Sequence, residues 1–277
     1  MVKKKKPIKR KKKRRGGKKR RRIRIRVSNW FIAAVLAVVA LFLIWTYVPR
    51  VNNAAISTGA AVPRGADCYG IDISHYQPTV RWDSLRVLTT SGKRTTNSKS
   101  LAKEIRPVSF VFIKATEGAS GKDKHFRKHW KNAGHSGIRR GAYHFFRSSK
   151  DPKVQAENFI RTVGKISSHD LPPVLDIETM HRGCSHKLLN DRALIWLRTV
   201  EKHYGRKPIV YSSASYINDV LCKEIVDNYP IWVAHYKVGH PRCEKWHIWQ
   251  FAEDAIVYGI DGEVDLNVAS ERMLRTL

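Results

Sequence analysis

The chain has 277 residues, with 53 lysines and arginines, 23 acidic residues and four cysteines, and its formal net charge is +30. Eighteen of the basic residues and none of the acidic ones lie in residues 1–27. A run of like charge this dense repels itself and cannot bury a core, so composition excludes one uniform globular chain and predicts a disordered basic tail over residues 1–27.

The next segment, residues 28–48, is predicted to be a single transmembrane helix. Its core, WFIAAVLAVVALFLIWTYV at residues 30–48, has Thr46 as the only clearly polar side chain, with aromatic residues near both ends. Such length and aromatic flanks are typical of a membrane-spanning helix. A cleaved signal peptide is the alternative, but its apolar region is usually only about 7–15 residues long. The basic flank predicts a cytoplasmic N-terminus and an exported, periplasmic or extracytoplasmic, C-terminal part.

The basic tail is predicted to contact anionic lipids at the membrane surface. A nucleic-acid role is disfavoured, because charge alone gives non-specific phosphate binding and the tail has no interleaved aromatic residues. Residues 28–277 still contain 35 basic and 23 acidic side chains, so the exported part is itself basic. An anionic polymer is therefore a candidate partner, beside the simpler interpretation of a soluble cationic surface.

Residues 49–66 are small and polar and are predicted to be a linker, which leaves residues 67–277 as one domain of barrel size. An even number of cysteines in an exported domain predicts up to two disulfides, and the pairing stays open. The cysteines are Cys68, Cys184, Cys222 and Cys243. No C-x-x-C or His-rich spacing indicates zinc, and neither a metal nor a cofactor is predicted.

Eight strand patterns follow along the domain, with helical patterns between the early ones, which predicts a β/α barrel. Asp151 is predicted to cap a helix that Pro152 opens, and Gly205 to end the longest helix. Only VGHPRCEK separates the sixth and seventh strands, too short for a crossover helix, so an irregular barrel with antiparallel final strands is expected. The polar stretch 89–107 is predicted to be a surface insertion that tolerates shortening.

Acidic and aromatic side chains recur where these strands end, and active sites of such barrels lie at that end. In LDIE, Asp176 and Glu178 are two positions apart, so they share a strand face with Cα atoms roughly 6.5 Å apart. Carboxylates can supply acid–base chemistry, and aromatic faces can hold pyranose rings. Buried tyrosines, histidines and tryptophans are also ordinary core residues, so the recurrence along successive strands carries the prediction of a sugar site.

The stretches GIDISHYQ, FVFIKATEG, RGAYHFF, PVLDIE and IWQF, followed by GIDGEVDLN, together resemble the glycoside hydrolase family 25 lysozymes. The resemblance implies a flattened β/α barrel that cleaves the β-1,4 bond between N-acetylmuramic acid and N-acetylglucosamine in peptidoglycan. It implies that Glu178 is the general acid, with Asp176 beside it, and that Asp72 and Asp265 are further active-site carboxylates. Predicted substrate-binding residues are Tyr76, Glu117, Tyr143, His144, Tyr211, Tyr236 and Trp249.

Two other classes stay open at this point: an inactive peptidoglycan-binding membrane protein, and a membrane protein that acts through its basic tail. The complete set of acids argues against the first. For the hydrolase we expect retention of configuration assisted by the 2-acetamido group of the substrate, with Asp176 stabilising the charged intermediate. The sequence leaves open whether the enzyme remodels its own wall or attacks another.

Overall fold

The computed structural model describes residues 56–65 and 68–277, so the predicted basic tail, the predicted transmembrane helix and most of the predicted linker lie outside the described residues. Within the described ranges, no helix combines the length and the apolar character needed to cross a bilayer. The fold below is therefore that of the predicted catalytic domain and of a short strand before it.

Strands and helices alternate through most of the described chain. The strands are β1 (Thr58–Ala61), β2 (Cys68–Ile73), β3 (Arg86–Thr89), β4 (Arg94–Thr96), β5 (Glu104–Glu117), β6 (Gly121–Lys122), β7 (Arg139–Phe145), β8 (Val174–Asp176), β9 (Ile209–Ser213), β10 (Ile231–Ala234), β11 (Ile248–Ile256) and β12 (Glu263–Ala269). The helices are α1 (Phe126–His135), α2 (Pro152–Val163), α3 (His186–Tyr204), α4 (Ala214–Asp219), α5 (Lys223–Asn228) and α6 (Glu271–Thr276), with a 3-10 turn at Trp82–Ser84.

Eight of the strands close into a barrel, in the order β2, β5, β7, β8, β9, β10, β11, β12 and back to β2. Neighbours from β2 to β11 are parallel, whereas β12 is antiparallel to both β11 and β2. The predicted eight-stranded α/β barrel with an antiparallel end is confirmed.

The antiparallel turn lies later in the chain than expected. It joins β11 to β12, while β10 and β11 are parallel and residues 235–247 connect them without a helix. The prediction was wrong at this point because it assigned residues 235–237 and 246–247 to strands, which shortened the connection. A dozen or so residues are enough to return across a barrel.

The predicted ends of two helices are confirmed by their hydrogen bonds. At the start of α2, Asp151 Oδ1 accepts from the backbone N–H groups of Lys153 and Val154 at 2.8 and 3.0 Å, and Pro152 occupies the first turn. At the end of α3, Gly205 adopts a left-handed conformation with φ 67° and donates to Glu201 O. The start of α2 and the end of α3 therefore lie where the capping residues place them.

Two hydrophobic clusters lie on opposite faces of the barrel wall. Along β5, Phe110 and Phe112 belong to the inner cluster, and Val111 and Ile113 to the outer cluster under the helices. The rings of the inner cluster need glycine opposite them: a Cβ on Gly70 would lie 2.1 Å from the Phe110 ring, and one on Gly141 would lie 2.5 Å from Phe112. The packed aromatic rings of the inner cluster form the floor of the candidate active site.

Residues 89–107, predicted to be a surface insertion, instead contribute strand residues to the sheet. Strands β3 and β4 form a hairpin whose neighbours are β5 on one side and β1 on the other. Thr95 is buried, and its Oγ1 accepts from Ile256 N at 3.0 Å, which fastens the hairpin to β11. The linker prediction is corrected at the same point, because β1 lies within residues 49–66 and pairs with β4.

The predicted disulfides are absent from the described residues. Cys184, Cys222 and Cys243 carry free thiols, and the first is buried while the other two pack at the edge of the outer cluster. Cys68 pairs through its backbone with Ala269 at the start of β2 and is not disulfide-bonded. The even number of cysteines was a poor guide because each thiol packs as a small apolar group.

Candidate active site

A cavity of about 270 Å³ opens where the parallel strands of the barrel end. The strands β2, β5, β7, β8, β9, β10 and β11 each contribute at least one side chain to its lining, and the antiparallel β12 contributes one from near its start. The lining residues are Asp72, Ser74, Tyr76, Lys114, Tyr143, Phe145, Asp176, Glu178, Tyr211, Trp232, Tyr236, Gln250, Glu253 and Asp265. All four predicted catalytic carboxylates are therefore brought together from three different strands and one loop.

Asp72 and Asp265 form a carboxyl pair because β2 and β12 are antiparallel and place them opposite each other. Asp72 Oδ2 accepts from Gln250 Nε2 at 2.9 Å and from Asn267 Nδ2 at 2.7 Å. Burial raises the pKa of both carboxyls, and the charge of Asp72 raises the pKa of Asp265 further. Because the two amide donors favour a charged Asp72, the pair holds its proton on Asp265.

Asp176 and Glu178 lie in the same cavity, as their spacing predicted, but in different surroundings. Asp176 is the buried last residue of β8, and its Oδ1 has no hydrogen-bond partner among the described residues. Glu178 follows in the next loop, where its side chain is exposed at the cavity mouth but its carboxyl is partly desolvated by the cavity wall. Desolvation and the neighbouring Glu178 raise the pKa of Asp176 well above its usual range, and desolvation and Asp72 raise the pKa of Glu178.

Lys114 is the cation of the cavity and opposes these shifts. Its charge lowers the pKa of Asp176 and of Glu178, against the larger effect of desolvation. Its Nζ is fixed 2.7 Å from Glu117 Oε2 and lies 4.9 Å from the centre of the Phe145 ring. A nearby cation favours the ionised form of a carboxyl. Lys114 therefore limits how far the cavity raises the pKa of Asp176 and Glu178.

Glu117 does not line the cavity, which corrects its prediction as a substrate-binding residue. Both of its oxygens are engaged, Oε2 with Lys114 and Oε1 with the guanidinium of Arg147. These partners lower the pKa of Glu117 although burial opposes them. Its contribution to the site is to hold Lys114 in place.

Gln250 organises the aromatic wall. Its Oε1 accepts hydrogen bonds from Tyr211 Oη at 2.7 Å and Tyr236 Oη at 2.6 Å, while its Nε2 donates to Asp72. Burial together with the nearby acids raises the pKa of both phenols, so they stay neutral donors. The amide thus fixes two tyrosine rings and one carboxylate in a single arrangement.

The floor and rim of the cavity are also aromatic. Trp232 is stacked on Phe112 with ring centres 4.4 Å apart, and its Nε1 donates to Asn267 Oδ1 at 2.7 Å. Tyr143 is half-buried in the wall, whereas Tyr76 stands on the rim with 79% of its surface exposed. Flat rings on several sides of a carboxylate-lined cavity are what a pyranose substrate requires.

His144 and Trp249 point away from the cavity, which corrects their predictions as substrate-binding residues. His144 is buried under the helices, where it bonds to Thr116 and Gln155 and stacks on Trp196. Trp249 donates from Nε1 to His235 O and packs against Trp246 and Phe251. Successive strand residues face opposite sides, so when Tyr143 and Gln250 face inward their neighbours face outward.

The prediction of site residues omitted several that line or brace the cavity. They are Ser74, Lys114, Phe145, Trp232, Gln250, Glu253 and Asn267. Strand alternation was the available signal: counting in steps of two from Tyr236 gives Ala234 and Trp232, and from Asp265 it gives Asn267. The sequence prediction named Trp249 because of its large aromatic ring. The neighbouring Gln250 is the side chain that faces the cavity.

A second cavity of about 710 Å³ continues from the first. The two share Glu178, Tyr211, Tyr236 and Glu253, so Glu178 lies on the boundary between them. A groove with an acid at such a boundary can bind a polymer that extends to both sides of the acid. Over residues 56–65 and 68–277, no three His, Cys, Asp or Glu side chains are grouped as a metal site.

The chain is similar in sequence to a known protein family and to individual relatives. The family model for Glycosyl hydrolases family 25 matches residues 71–260, which include every carboxylate of the cavity except Asp265. YegX of Escherichia coli K12, an uncharacterized protein, is 38% identical over 210 residues, covering 75% of this chain and 71% of YegX. Lysozyme M1 of Streptomyces globisporus is 32% identical over 212 residues, covering 72% of this chain and 66% of that protein.

Among solved structures, the bacterial lysozyme of Streptomyces coelicolor has a similar fold. It superposes with a TM-score of 0.64 and 30% identity, covering 76% of this chain and 96% of that one. The similarity extends over nearly the whole lysozyme chain, so it includes the barrel and not one motif alone.

Proposed function

Because the chain belongs to family 25 of the glycosyl hydrolases and is a glycoside hydrolase, we propose that it is a muramidase acting on peptidoglycan. The bond cleaved is the β-1,4 link between N-acetylmuramic acid and N-acetylglucosamine. The observation that carries the proposal is that four carboxylates meet in one aromatic-walled cavity, in unequal surroundings. The similarity to lysozymes over the barrel supports the choice of substrate.

Glu178 is the proton donor in this proposal. It lies at the mouth shared by both cavities, where a glycosidic oxygen between two bound sugars would pass. Its raised pKa keeps a larger share of it protonated near neutral pH, as a general acid needs. The neighbouring Asp72 charge contributes to that effect.

Asp176 stabilises the positive charge that develops when the bond breaks. It is buried and lies next to Glu178, and its Oδ1 has no hydrogen-bond partner in the part of the chain that the structure describes. N-acetyl sugars carry a 2-acetamido group whose oxygen can attack the anomeric carbon, giving retention by substrate assistance. As the acetamide oxygen bonds to the anomeric carbon, the glycosidic bond breaks and the leaving oxygen takes the proton of Glu178. The cyclic intermediate is cationic, so a carboxylate beside it stabilises the transition state more than the neutral bound substrate.

Asp72 and Asp265 shape the field around this chemistry. Asp72 is held charged by Gln250 and Asn267, and its negative charge raises the pKa of Glu178. Through Gln250 the same carboxylate is joined to Tyr211 and Tyr236, which line the sugar groove. The acid pair therefore positions the walls as well as tuning the donor.

We also propose that the enzyme is anchored in the membrane, with its N-terminus cytoplasmic and the barrel exported. The support is in the sequence: a basic segment precedes a 19-residue apolar run, and the barrel follows a short connection. The membrane and its anionic lipids would then be partners of the N-terminal part, and peptidoglycan the partner of the barrel.

The decisive experiment is digestion of purified peptidoglycan by the full-length protein in detergent. We expect new reducing ends at N-acetylmuramic acid, and a first product with the β anomer. New ends at N-acetylglucosamine, or binding to the wall without cleavage, would refute the muramidase proposal. An α anomer formed first would refute retention alone.

A further inference from the structure

A third cavity, of about 790 Å³, lies beside the groove and has no place in the mechanism above. We call it the side cavity. One wall is formed by β1 and the residues after it, with Arg94 of β4, and the other by residues 236–239 and part of β11. It shares Tyr236 and Glu253 with both parts of the groove, so the space is continuous with the site.

The wall made by β1 and β4 is rigidly placed. Ala61 pairs with Arg94 across the two strands, and Val62 N donates to Lys93 O at 2.9 Å. Gly59 lies so close to β11 that a Cβ there would be 2.6 Å from Ile256 N. The hairpin and β11 therefore set the position of β1, which forms one wall of the side cavity.

The charged side chains of the side cavity have no salt-bridge partner among the described residues. Arg64, Arg94 and Lys237 are exposed on its lining, and none of them forms a salt bridge with a described residue. The acids Glu253 and Asp254 lie on the same lining and are also outside every salt bridge of the described chain.

Lys237 also has a left-handed backbone conformation, with φ 56°. A side chain other than glycine is strained there, because Cβ approaches the following carbonyl oxygen. Strained residues of this kind cluster at binding sites, where the surrounding structure holds them. The loop thus presents Lys237 on the lining at some cost to stability.

We propose that the side cavity binds the peptide stem of peptidoglycan, with Arg64 and Arg94 holding its carboxylates. This rests on the proposed function, since each muramic acid in the groove carries a lactyl ether from which the stem leaves the sugar. The stem must cross a surface next to the groove, and the side cavity adjoins it at Tyr236. Three cations and two acids suit a short peptide that bears carboxylates and an ammonium group.

The test compares two substrates and two matched double variants of the full-length protein in detergent. One substrate is purified peptidoglycan, and the other is the same material stripped of stems by an amidase. Arg64→Gln with Arg94→Gln should lower kcat/KM on the stem-bearing wall about ten-fold, through KM, because two charge-assisted contacts are lost. On the stripped glycan the change should stay under about two-fold.

The control is Lys103→Gln with Arg106→Gln, which removes the same charge from exposed positions near or on β5 that do not line the side cavity. It should leave both rates unchanged. An equal fall of the Arg64/Arg94 variant on both substrates, or no fall on either, would overturn the proposal.

A second measurement separates this inference from the proposed function. A soluble stem tetrapeptide is titrated into the parent and into the Arg64/Arg94 variant, and binding is followed by NMR. We expect the variant to bind about ten-fold more weakly. A parent that binds the peptide but cleaves no wall would refute the muramidase proposal alone, whereas a parent that does not bind it would refute the stem site.

Discussion

Asp176 combines three properties that rarely occur together at a purely structural position: it is buried, one carboxyl oxygen has no hydrogen-bond partner among the described residues, and its pKa is strongly raised. A buried acid with these properties destabilises the folded state whenever it is charged. The residue is therefore kept at a cost to stability, and it is placed where the proposed reaction develops positive charge.

Asp176→Asn should make the protein more stable at pH 7.5 and lower its turnover more than its glycan binding. A carboxyl whose pKa is higher in the folded state binds more protons when folded, so stability falls as pH rises above its unfolded pKa, about 3.9. The gain in melting temperature should hence shrink at pH 4. Thermal melts at both pH values test this, and a variant less stable than the parent at pH 7.5 would contradict it.

Glu178→Gln keeps the size and hydrogen bonding of the side chain but removes the proton to be donated. Peptidoglycan hydrolysis should fall by a factor of roughly 10² to 10⁴, the usual contribution of a positioned acid. Because the side chain is exposed at the mouth, stability should change by less than about 0.5 kcal/mol. A folded variant with full activity would end the assignment of Glu178 as the donor.

Lys114→Met should shift the alkaline limb of the pH–rate profile to higher pH. Lys114 lowers the pKa of Asp176 and Glu178, so its removal lets both rise and keeps the donor protonated further into alkaline pH. Lys122→Met, an exposed change on β6, should leave the profile in place. A limb that moves to lower pH would show that another group sets it.

Among the elements, the β3–β4 hairpin supports one wall of the side cavity, and two threonines on it offer a matched comparison. Thr95→Val removes the acceptor for Ile256 N and should cost about 1–3 kcal/mol of stability. Thr89→Val removes a buried hydroxyl that has no partner among the described residues, so it should be neutral or stabilising. Denaturant melts of the two variants test this, and equal losses would mean that the Ile256 contact contributes nothing.

The hairpin also illustrates what could be predicted from the sequence. Strands rich in apolar residues, the caps at Asp151 and Gly205, and the joint position of Asp176 and Glu178 followed from local patterns. The segment TTSGKRTT did not, because its buried side chains are threonines and its partner, β11, lies some 160 residues later. When polar strands pair with distant parts of the chain, the local sequence shows no hydrophobic period that would indicate them.

For the whole molecule, the asymmetry of charge predicts one orientation in the membrane. Eighteen basic residues precede the apolar run, so the tail should stay in the cytoplasm and the barrel should be outside. Protease added to intact spheroplasts should degrade the barrel, while a tag placed on the N-terminus should survive. A protected barrel would contradict the predicted orientation.

The single antiparallel strand of the barrel has a practical consequence. Because β12 is antiparallel to its neighbours, its third and fifth residues, Asp265 and Asn267, reach the site, and the chain then runs away from the site toward the other end of the barrel. Helix α6 follows, where Leu274 O accepts from Arg139 at the start of β7, so the chain closes the opposite mouth of the barrel. A fluorescent reporter joined to Leu277 would consequently emerge at the pole far from the groove and leave it open to a polymer as bulky as an intact sacculus.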